Sequence, residues 1–380
     1  MTLIHSARLV TSGTVTEEAW VRFEGDAVAE IGSGPGWPAD ADVIDAAGGI
    51  LTPGFVDIHS HGGGTASYDG DAGQIARAMA AHHAHGTTRT VLSLVTATQE
   101  TLRAQLGLIA ELTGENPLIL GSHLEGPYLD HGHKGAHAPE LLADTRPEDI
   151  DALVEAARGT LVQITMAPER PGAMAAIPRL VGAGVRVAVG HTAAGYAEAL
   201  AAFDAGASIL THTFNAMAGI HHRAPGPIGA ALARDHVTLE LINDGVHVHP
   251  AVAEMLWRAA DGRVALITDA MAAAGAADGD YMLGSLAVRV ENGTARLRDG
   301  DSIAGSTLTL DEALRQSVDV CGIPLAEAVD ALTRVPADAI GRADLGRLDV
   351  GSAADAVLLS PELEVERVWG AGNVLFTRSA

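Results

Sequence analysis

Cysteine and lysine are almost missing from this chain: Cys321 is the single cysteine and Lys134 the single lysine among 380 residues. A lone cysteine cannot close an internal disulfide, and any step that requires a lysine has one candidate. Aromatic residues make up only 3% of the chain against 47% hydrophobic, so Ala, Val, Leu and Ile must fill the core, as in a layered α/β protein. Basic residues are scarce as well, 24 against 48 acidic ones, leaving a formal net charge of -24. Such a surface repels nucleic acid and anionic membranes at long range. A small anionic substrate then needs a few cationic groups converging in one pocket. Neither a run of about 18 apolar residues nor a charged-then-apolar leader is visible, so a cytoplasmic protein is expected.

What is present is alternation. Residues 1–50 carry short apolar runs separated by turn residues: Thr2 to Val10, Ala19 to Phe23, Ala27 to Ile31 and Val43 to Ala46. The tail reads the same way over Ala356 to Leu359, Val365 to Val368 and Val374 to Phe376. Small isolated sheets bury too little apolar surface to stand alone, so both chain ends are expected to pair into one β-sandwich domain, residues 1–51 and 350–380. Between them, eight apolar runs alternate with helical patterns: Ile50 to Ile58, Thr90 to Val95, Leu118 to Leu124, Leu161 to Met166, Val185 to Val189, Ser208 to Leu210, Thr238 to Ile242 and Val264 to Ile267. The spacing predicts helices over Ala72 to His85, Glu100 to Leu112, Pro147 to Ala157, Ala175 to Ala183, Tyr196 to Ala205, Ala251 to Ala260 and Asp311 to Cys321. Eight strand-helix repeats predict a closed (β/α)₈ TIM-like barrel over residues 52–349. A doubly wound sheet is the alternative. A β-hairpin insertion is expected near residues 281–300, turning at Glu291-Asn292-Gly293.

Barrel enzymes carry their reactive groups at the carboxyl ends of the strands. Here those ends are rich in metal ligands: His59 and His61, His123 and Glu125, His191, His212, Asp244 and His247, and Asp269. Residues two apart on a strand face the same way, so His59 and His61 can point into one cavity. Any one of these side chains could be a hydrogen-bonded residue at a strand end. Their shared placement on one rim argues for a site. Histidine and carboxylate ligands without cysteine suit Zn²⁺, Fe²⁺, Mn²⁺ or Co²⁺. A divalent metal lowers the pKa of bound water to about 7, giving a hydroxide nucleophile, and Asp269 can take and return the proton.

The run Pro53-Gly54-Phe55-Val56-Asp57-Ile58-His59-Ser60-His61-Gly62 resembles the first strand of the amidohydrolase superfamily. His123-Leu124-Glu125-Gly126-Pro127, Gly190-His191-Thr192, His212-Thr213-Phe214-Asn215-Ala216-Met217, Asp244-Gly245-Val246-His247, Thr268-Asp269-Ala270-Met271 and Ile303-Ala304-Gly305-Ser306-Thr307-Leu308-Thr309 together resemble the N-acetylglucosamine-6-phosphate deacetylase family. The match keeps its order from about Gly49 to Gly351.

This resemblance implies that Glu125, His191 and His212 hold a principal metal ion, with Asp269 as general base and acid. It implies a second ion near His59, His61 and Asp269, hence one or two divalent ions per subunit, with Zn²⁺ favoured. His137 would polarise the acetyl carbonyl, a role worth roughly 3 kcal/mol for one well-placed donor. The backbone N–H groups of Asn215 and Ala216, with Arg223, His247 and Ala304, would surround a sugar phosphate. Arginine suits that group through its planar fork. In the family that arginine comes from the neighbouring subunit, so a homodimer is implied. The implied reaction is hydrolysis of the acetamide of N-acetyl-D-glucosamine 6-phosphate to D-glucosamine 6-phosphate and acetate, in amino-sugar catabolism and cell-wall recycling. The loop after Glu125 keeps Lys134-Gly135 and His137 in the family's frame, while its middle, His131-Gly132-His133, departs from it.

Other readings are N-acetylgalactosamine 6-phosphate as substrate, a cyclic-amide hydrolase, or a catalytically dead relative serving as an interaction protein. Many cyclic-amide hydrolases bridge two metals with a carboxylated lysine on strand four, but Leu161 to Met166 contains no lysine and Lys134 lies in a loop after strand three. A dead relative would usually have lost ligands that this chain retains.

Overall fold

The computed structural model of the protein describes residues 1–38, 42–300 and 302–379. Eight parallel strands, paired in sequence order, form the central sheet: β1 (Phe55–Ser60), β2 (Thr87–Leu94), β3 (Ile119–Glu125), β4 (Leu161–Met166), β5 (Arg186–Val189), β6 (Ile209–Leu210), β7 (Thr238–Leu241) and β8 (Val264–Leu266). Just beyond β8 the ring closes onto β1. The Asp269 N–H donates to the His59 carbonyl and the His61 N–H to the Ala270 carbonyl, both at 2.8 Å, while Thr268 Oγ1 donates to Asp57 Oδ2 at 2.6 Å. Every residue of β2 and β3 is buried, as strands must be when helices cover one face and a filled barrel interior the other.

The predicted helices form with their ends displaced by up to three residues, from Ala72–His83 to Pro250–Ala260. The segment expected as one helix from Asp311 to Cys321 is an α-helix over Leu310–Arg315 that widens into a π-turn over Gln316–Val320. Three further helices, Gly226–Leu232, Leu325–Leu332 and Arg334–Ala339, were not anticipated. Among the described residues no helix is long and apolar enough to cross a membrane.

Both chain ends meet in one mixed sheet of eight strands, ordered Asn373–Thr377, Val365–Gly370, Ala356–Leu359, Ile50–Pro53, Thr2–Thr11, Thr14–Glu24 and Ala27–Ser33, with Asp42–Asp45 alongside Thr2–Thr11. The run expected as a single strand from Ile50 to Ile58 therefore divides: its first part belongs to this sheet and its second to the barrel. Gly54 sits at the crossing, where a Cβ would lie 2.3 Å from Thr88 Oγ1 and 2.9 Å from Asp355 Cβ. Only a residue without a side chain lets the two sheets pass so closely. A buried bidentate pair ties them together, with Arg89 on β2 donating from Nε to Asp355 Oδ2 at 2.6 Å and from Nη2 to Asp355 Oδ1 at 3.0 Å.

The insertion has three antiparallel strands rather than the expected two: Gly279–Leu283, Leu286–Glu291 and Thr294–Leu297. Its apolar face, Leu283, Val288, Val290 and Ala295, packs with Val95, Met271 and Ala304 above the carboxyl ends of β2 and β8.

Candidate metal centre and catalytic cavity

At the carboxyl ends of the barrel strands lies a cavity of about 390 Å³. His61, Glu125, His137, His191, His212, Asn215, Ala216, His247 and Asp269 line it, roofed by Leu283 and Ile303 from the insertion side. Three of its residues leave their strands with left-handed backbone: His191 at φ 47°, His212 at φ 25° and Asp269 at φ 48°. Non-glycine residues adopt this conformation at a cost of order 1–3 kcal/mol, and here it turns each side chain sharply off the strand end into the cavity.

Two sets of donor atoms converge, and Glu125 belongs to both. His59, His61, Glu125 and Asp269 offer atoms within 4.8 Å of one another, as do Glu125, His191 and His212. In the second set, Glu125 Oε1 lies 3.0 Å from His191 Nε2 and 3.1 Å from His212 Nε2, and the two nitrogens are 3.0 Å apart. His191 Nδ1 faces the His133 carbonyl at 2.9 Å, so Nδ1 carries the proton and Nε2 presents a lone pair. Three lone-pair donors aimed at one point repel each other unless a proton or a cation stands between them. In the first set, His61 Nε2 lies 3.1 Å from Glu125 Oε2 and 3.3 Å from Asp269 Oδ1, and His59 Nε2 is 3.5 Å from both Glu125 Oε1 and Asp269 Oδ1. The Nε2 atoms of His59 and His61 are buried without a hydrogen-bond partner among the described residues. Buried orphans of this kind, pointing at carboxylates, fit a divalent cation of the kind His and carboxylate ligands bind. The arrangement is a divalent metal site.

Electrostatics point the same way. Burial alone would lower the pKa of His59, but Glu125, Glu240 and Asp269 outweigh it and raise it well above the ordinary value. His61 is raised to about 9 against the same burial, through its contacts with Asp269 and Glu125. Burial opposes ionisation of Glu125 too, yet His59, His191 and His137 hold its carboxyl well below the usual range. Asp269 is likewise held low, chiefly by His59 and His61 working against burial. The centre holds its carboxylates charged and favours positive charge on His59 and His61, as a cavity built for a cation would.

Glu240 is a partner that inspection of the strand ends missed. It is fully buried in the middle of β7, where Oε2 accepts from His59 Nδ1 at 3.0 Å and Oε1 from Gln163 Nε2 at 2.8 Å. The bond to Nδ1 directs the His59 Nε2 lone pair at the centre. A carboxylate inside the apolar run Thr238–Leu241 was the available signal. His123, by contrast, points away from the centre. Its ring nitrogens bond Ser93 Oγ and Thr165 Oγ1, each at 2.9 Å, and burial keeps it neutral.

Around the centre, His137 Nδ1 accepts from the Thr96 N–H at 3.4 Å, leaving the proton on Nε2, which lies 3.3 Å from Glu125 Oε2. Burial lowers its pKa, so it faces the cavity as a neutral donor. His247 differs: Asp244 Oδ2, 2.6 Å from its Nδ1, overcomes burial and raises its pKa, favouring the cationic form in the cavity wall. The Asn215 N–H is already donated to the His212 carbonyl at 2.9 Å, so of the two backbone groups expected to meet a phosphate, that of Ala216, at φ 50°, remains. Ala304 is buried within the insertion's apolar cluster, and its neighbours Ile303 and Gly305 line the cavity instead. Arg223 stands outside the cavity on an exposed stretch, its Nη1 2.7 Å from His222 Nε2.

A parallel barrel whose carboxyl rim brings four histidines and two carboxylates around a metal site is the architecture of a metal-dependent hydrolase, and the chain belongs to the amidohydrolase family, whose model matches residues 50–375. It is a hydrolytic enzyme. Among its relatives, N-acetylgalactosamine-6-phosphate deacetylase of Escherichia coli O157:H7 is 38% identical over 370 residues, covering 95% of this chain and 97% of the relative. N-acetylglucosamine-6-phosphate deacetylase of Vibrio furnissii is 35% identical, covering 88% and 85%. The chain superposes with a TM-score of 0.95 on the N-acetyl-D-glucosamine-6-phosphate deacetylase of Mycobacterium smegmatis, an aspartate-to-alanine variant in complex with N-acetyl-D-glucosamine-6-phosphate, at 42% identity over 99% of both chains.

Proposed function

We propose that this enzyme hydrolyses the acetamide of N-acetyl-D-glucosamine 6-phosphate to D-glucosamine 6-phosphate and acetate, in amino-sugar catabolism and cell-wall recycling in the cytoplasm. The observation that carries the reading is Glu125 shared between two converging donor sets in a cavity that His137 and His247 also line. The substrate assignment is supported by the complex of the Mycobacterium smegmatis relative.

Glu125, His191 and His212 hold one divalent ion, and His59, His61 and Asp269 with Glu125 hold a second, Zn²⁺ being the cation that best suits this set. When bound, such an ion supplies Lewis acidity and brings the pKa of water down to about 7. The protein's own groups do the rest. Asp269, ionised and rigidly turned at φ 48°, takes the proton of the attacking water on its carboxylate and delivers it to the departing amine nitrogen. His137 donates from Nε2 to the acetyl oxygen as negative charge develops there. His247, the Ala216 N–H, the Asn215 side chain and the wall around Ala304 hold the phosphorylated sugar. Arg223 completes the phosphate site of the neighbouring subunit in a homodimer.

The E. coli relative favours a second reading, N-acetylgalactosamine 6-phosphate, which differs at one hydroxyl. Measuring acetate release from both hexosamine phosphates with Zn²⁺, Mn²⁺ and Co²⁺ separates them. A kcat/KM at least tenfold higher for the gluco epimer supports the first reading, the reverse ratio supports the second, and no release from either overturns both.

A further inference from the structure

At the opposite end of the barrel, the amino ends of β5 to β8 surround a cavity of about 500 Å³. Arg186 is the first residue of β5, Ser208 immediately precedes β6, Thr238 opens β7, and Gly262 and Arg263 immediately precede β8. His236, Arg334 and Asp338 complete the charged and polar wall. In a chain with twice as many acidic as basic residues, a wall of three arginines and one histidine against a single carboxylate runs against the composition.

Two of the three arginines there have no carboxylate partner among the described residues, whereas the third does. Asp338 already receives Arg347 Nη2 on both carboxylate oxygens at 2.7 Å. Arg334 pairs with Asp330 at 2.8 Å and with Asp338 at 3.5 Å. Arg263 spends its hydrogen bonds on the carbonyls of Ala231, Leu232, Arg234 and Val237, and among the described residues neither it nor Arg186 makes an ion pair. Arg186 Nε and Ser208 Oγ are buried polar atoms without a hydrogen-bond partner among the described residues. Gly341 shapes the place of that guanidinium, since a Cβ at this glycine would lie 2.6 Å from Arg186 Nη2.

Unpaired buried donors are costly unless a ligand satisfies them, and a planar guanidinium and a hydroxyl lining one cavity suit the oxygens of a tetrahedral phosphate. We infer that this cavity is a binding site for a phosphate group, separate from the catalytic cavity and held chiefly by Arg186 and Ser208, with Arg263 supplying positive field. The two cavities lie at opposite ends of the same four strands.

Inorganic phosphate and a phosphate monoester share this chemistry, so calorimetric titrations of the intact enzyme with inorganic phosphate and with glycerol 3-phosphate distinguish the sources. In R186Q the occupant's affinity falls at least tenfold, while kcat/KM for deacetylation stays within twofold of wild type. Weakening of the phosphate isotherm assigns free phosphate, and weakening of the glycerol 3-phosphate isotherm alone assigns a monoester. S208A, which cannot disturb the strand pairing, is expected to weaken the same isotherm about threefold and stands in should R186Q misfold. Isotherms unchanged in both variants, or no binding of either probe to the wild type beyond what the catalytic cavity accounts for, overturn the site.

Discussion

Replacing Glu240 by glutamine removes one charge behind the metal centre and little else. Glu240 Oε2 accepts from His59 Nδ1 at 3.0 Å and from the His212 N–H at 3.3 Å, and Oε1 accepts from Gln163 Nε2 at 2.8 Å. After the exchange, the new amide oxygen can keep the His59 bond. Its NH₂ group can turn to Gln163 Oε1, which has no hydrogen-bond partner among the described residues. Packing and hydrogen-bond count are therefore preserved, and what disappears is the charge assistance that makes such a bond roughly twice as strong. Outer partners of this kind typically govern tenfold to hundredfold of metal affinity. Because the geometry survives here, the lower figure applies, about tenfold or 1.4 kcal/mol. The loss should be larger at the ion near His59, His61 and Asp269, since His191 takes its orientation from the His133 carbonyl and the amide oxygen can keep the bond from the His212 N–H. Competition of zinc against a fluorescent chelator reads the two binding steps separately, with circular dichroism to verify folding. Equal weakening of both steps, or of neither, would refute the assignment of Glu240 as the group that orients His59.

Three other perturbations test different links. Asp269→Asn should keep substrate affinity and the ion at Glu125, His191 and His212 while turnover drops by about 10² to 10⁴; near-normal kcat would remove Asp269 from proton transfer. Arg223→Ala should raise KM for the phosphorylated sugar far more than for unphosphorylated N-acetylglucosamine, and equal effects would reject its phosphate role. Burial lowers the pKa of His82 from 6.5 to about 4, its Nε2 donating to the Gly62 carbonyl at 2.8 Å. Because the native state resists a proton that the unfolded chain accepts, the stability this group provides is present above pH 6.5 and is lost as pH falls toward 4, by about 3 kcal/mol in all. Urea unfolding at pH 7 and pH 5 should therefore show a smaller acid loss in His82→Gln than in the wild type, and parallel losses would contradict the cause.

The barrel and its ligand-bearing rim were legible because both follow from local rules. Short apolar runs set the strands, and a strand's last residues must lie at its carboxyl end, so His59, Glu125, His191, His212 and Asp269 could be placed at one mouth before any coordinates. What stayed hidden depended on tertiary surroundings. Hydrophobicity alone does not separate Ile50–Pro53 from Phe55–Ser60, since both are wholly buried; the break at Gly54 exists because Thr88 and Asp355 crowd it from outside. Glu240 looked like one polar residue in a strand, and its importance comes from facing His59, 181 positions away in sequence. The left-handed turns at His191, His212 and Asp269 carry no glycine to announce them. Neither did the residue types reveal that the Asn215 N–H would be spent on the His212 carbonyl, because that bond arises from the local turn itself. The additional strand of the insertion, Gly279–Leu283, escaped because only one of its five residues is buried and its pairing partner supplies the pattern.

The central claim is that Glu125, His191 and His212 grip one divalent cation. Anomalous diffraction at the zinc edge from a zinc-loaded crystal tests it directly. The account predicts a peak about 2.0–2.2 Å from a Glu125 carboxylate oxygen and from the Nε2 atoms of His191 and His212. A zinc-loaded crystal with no peak there, or with its strongest peak bound to other residues, would contradict it.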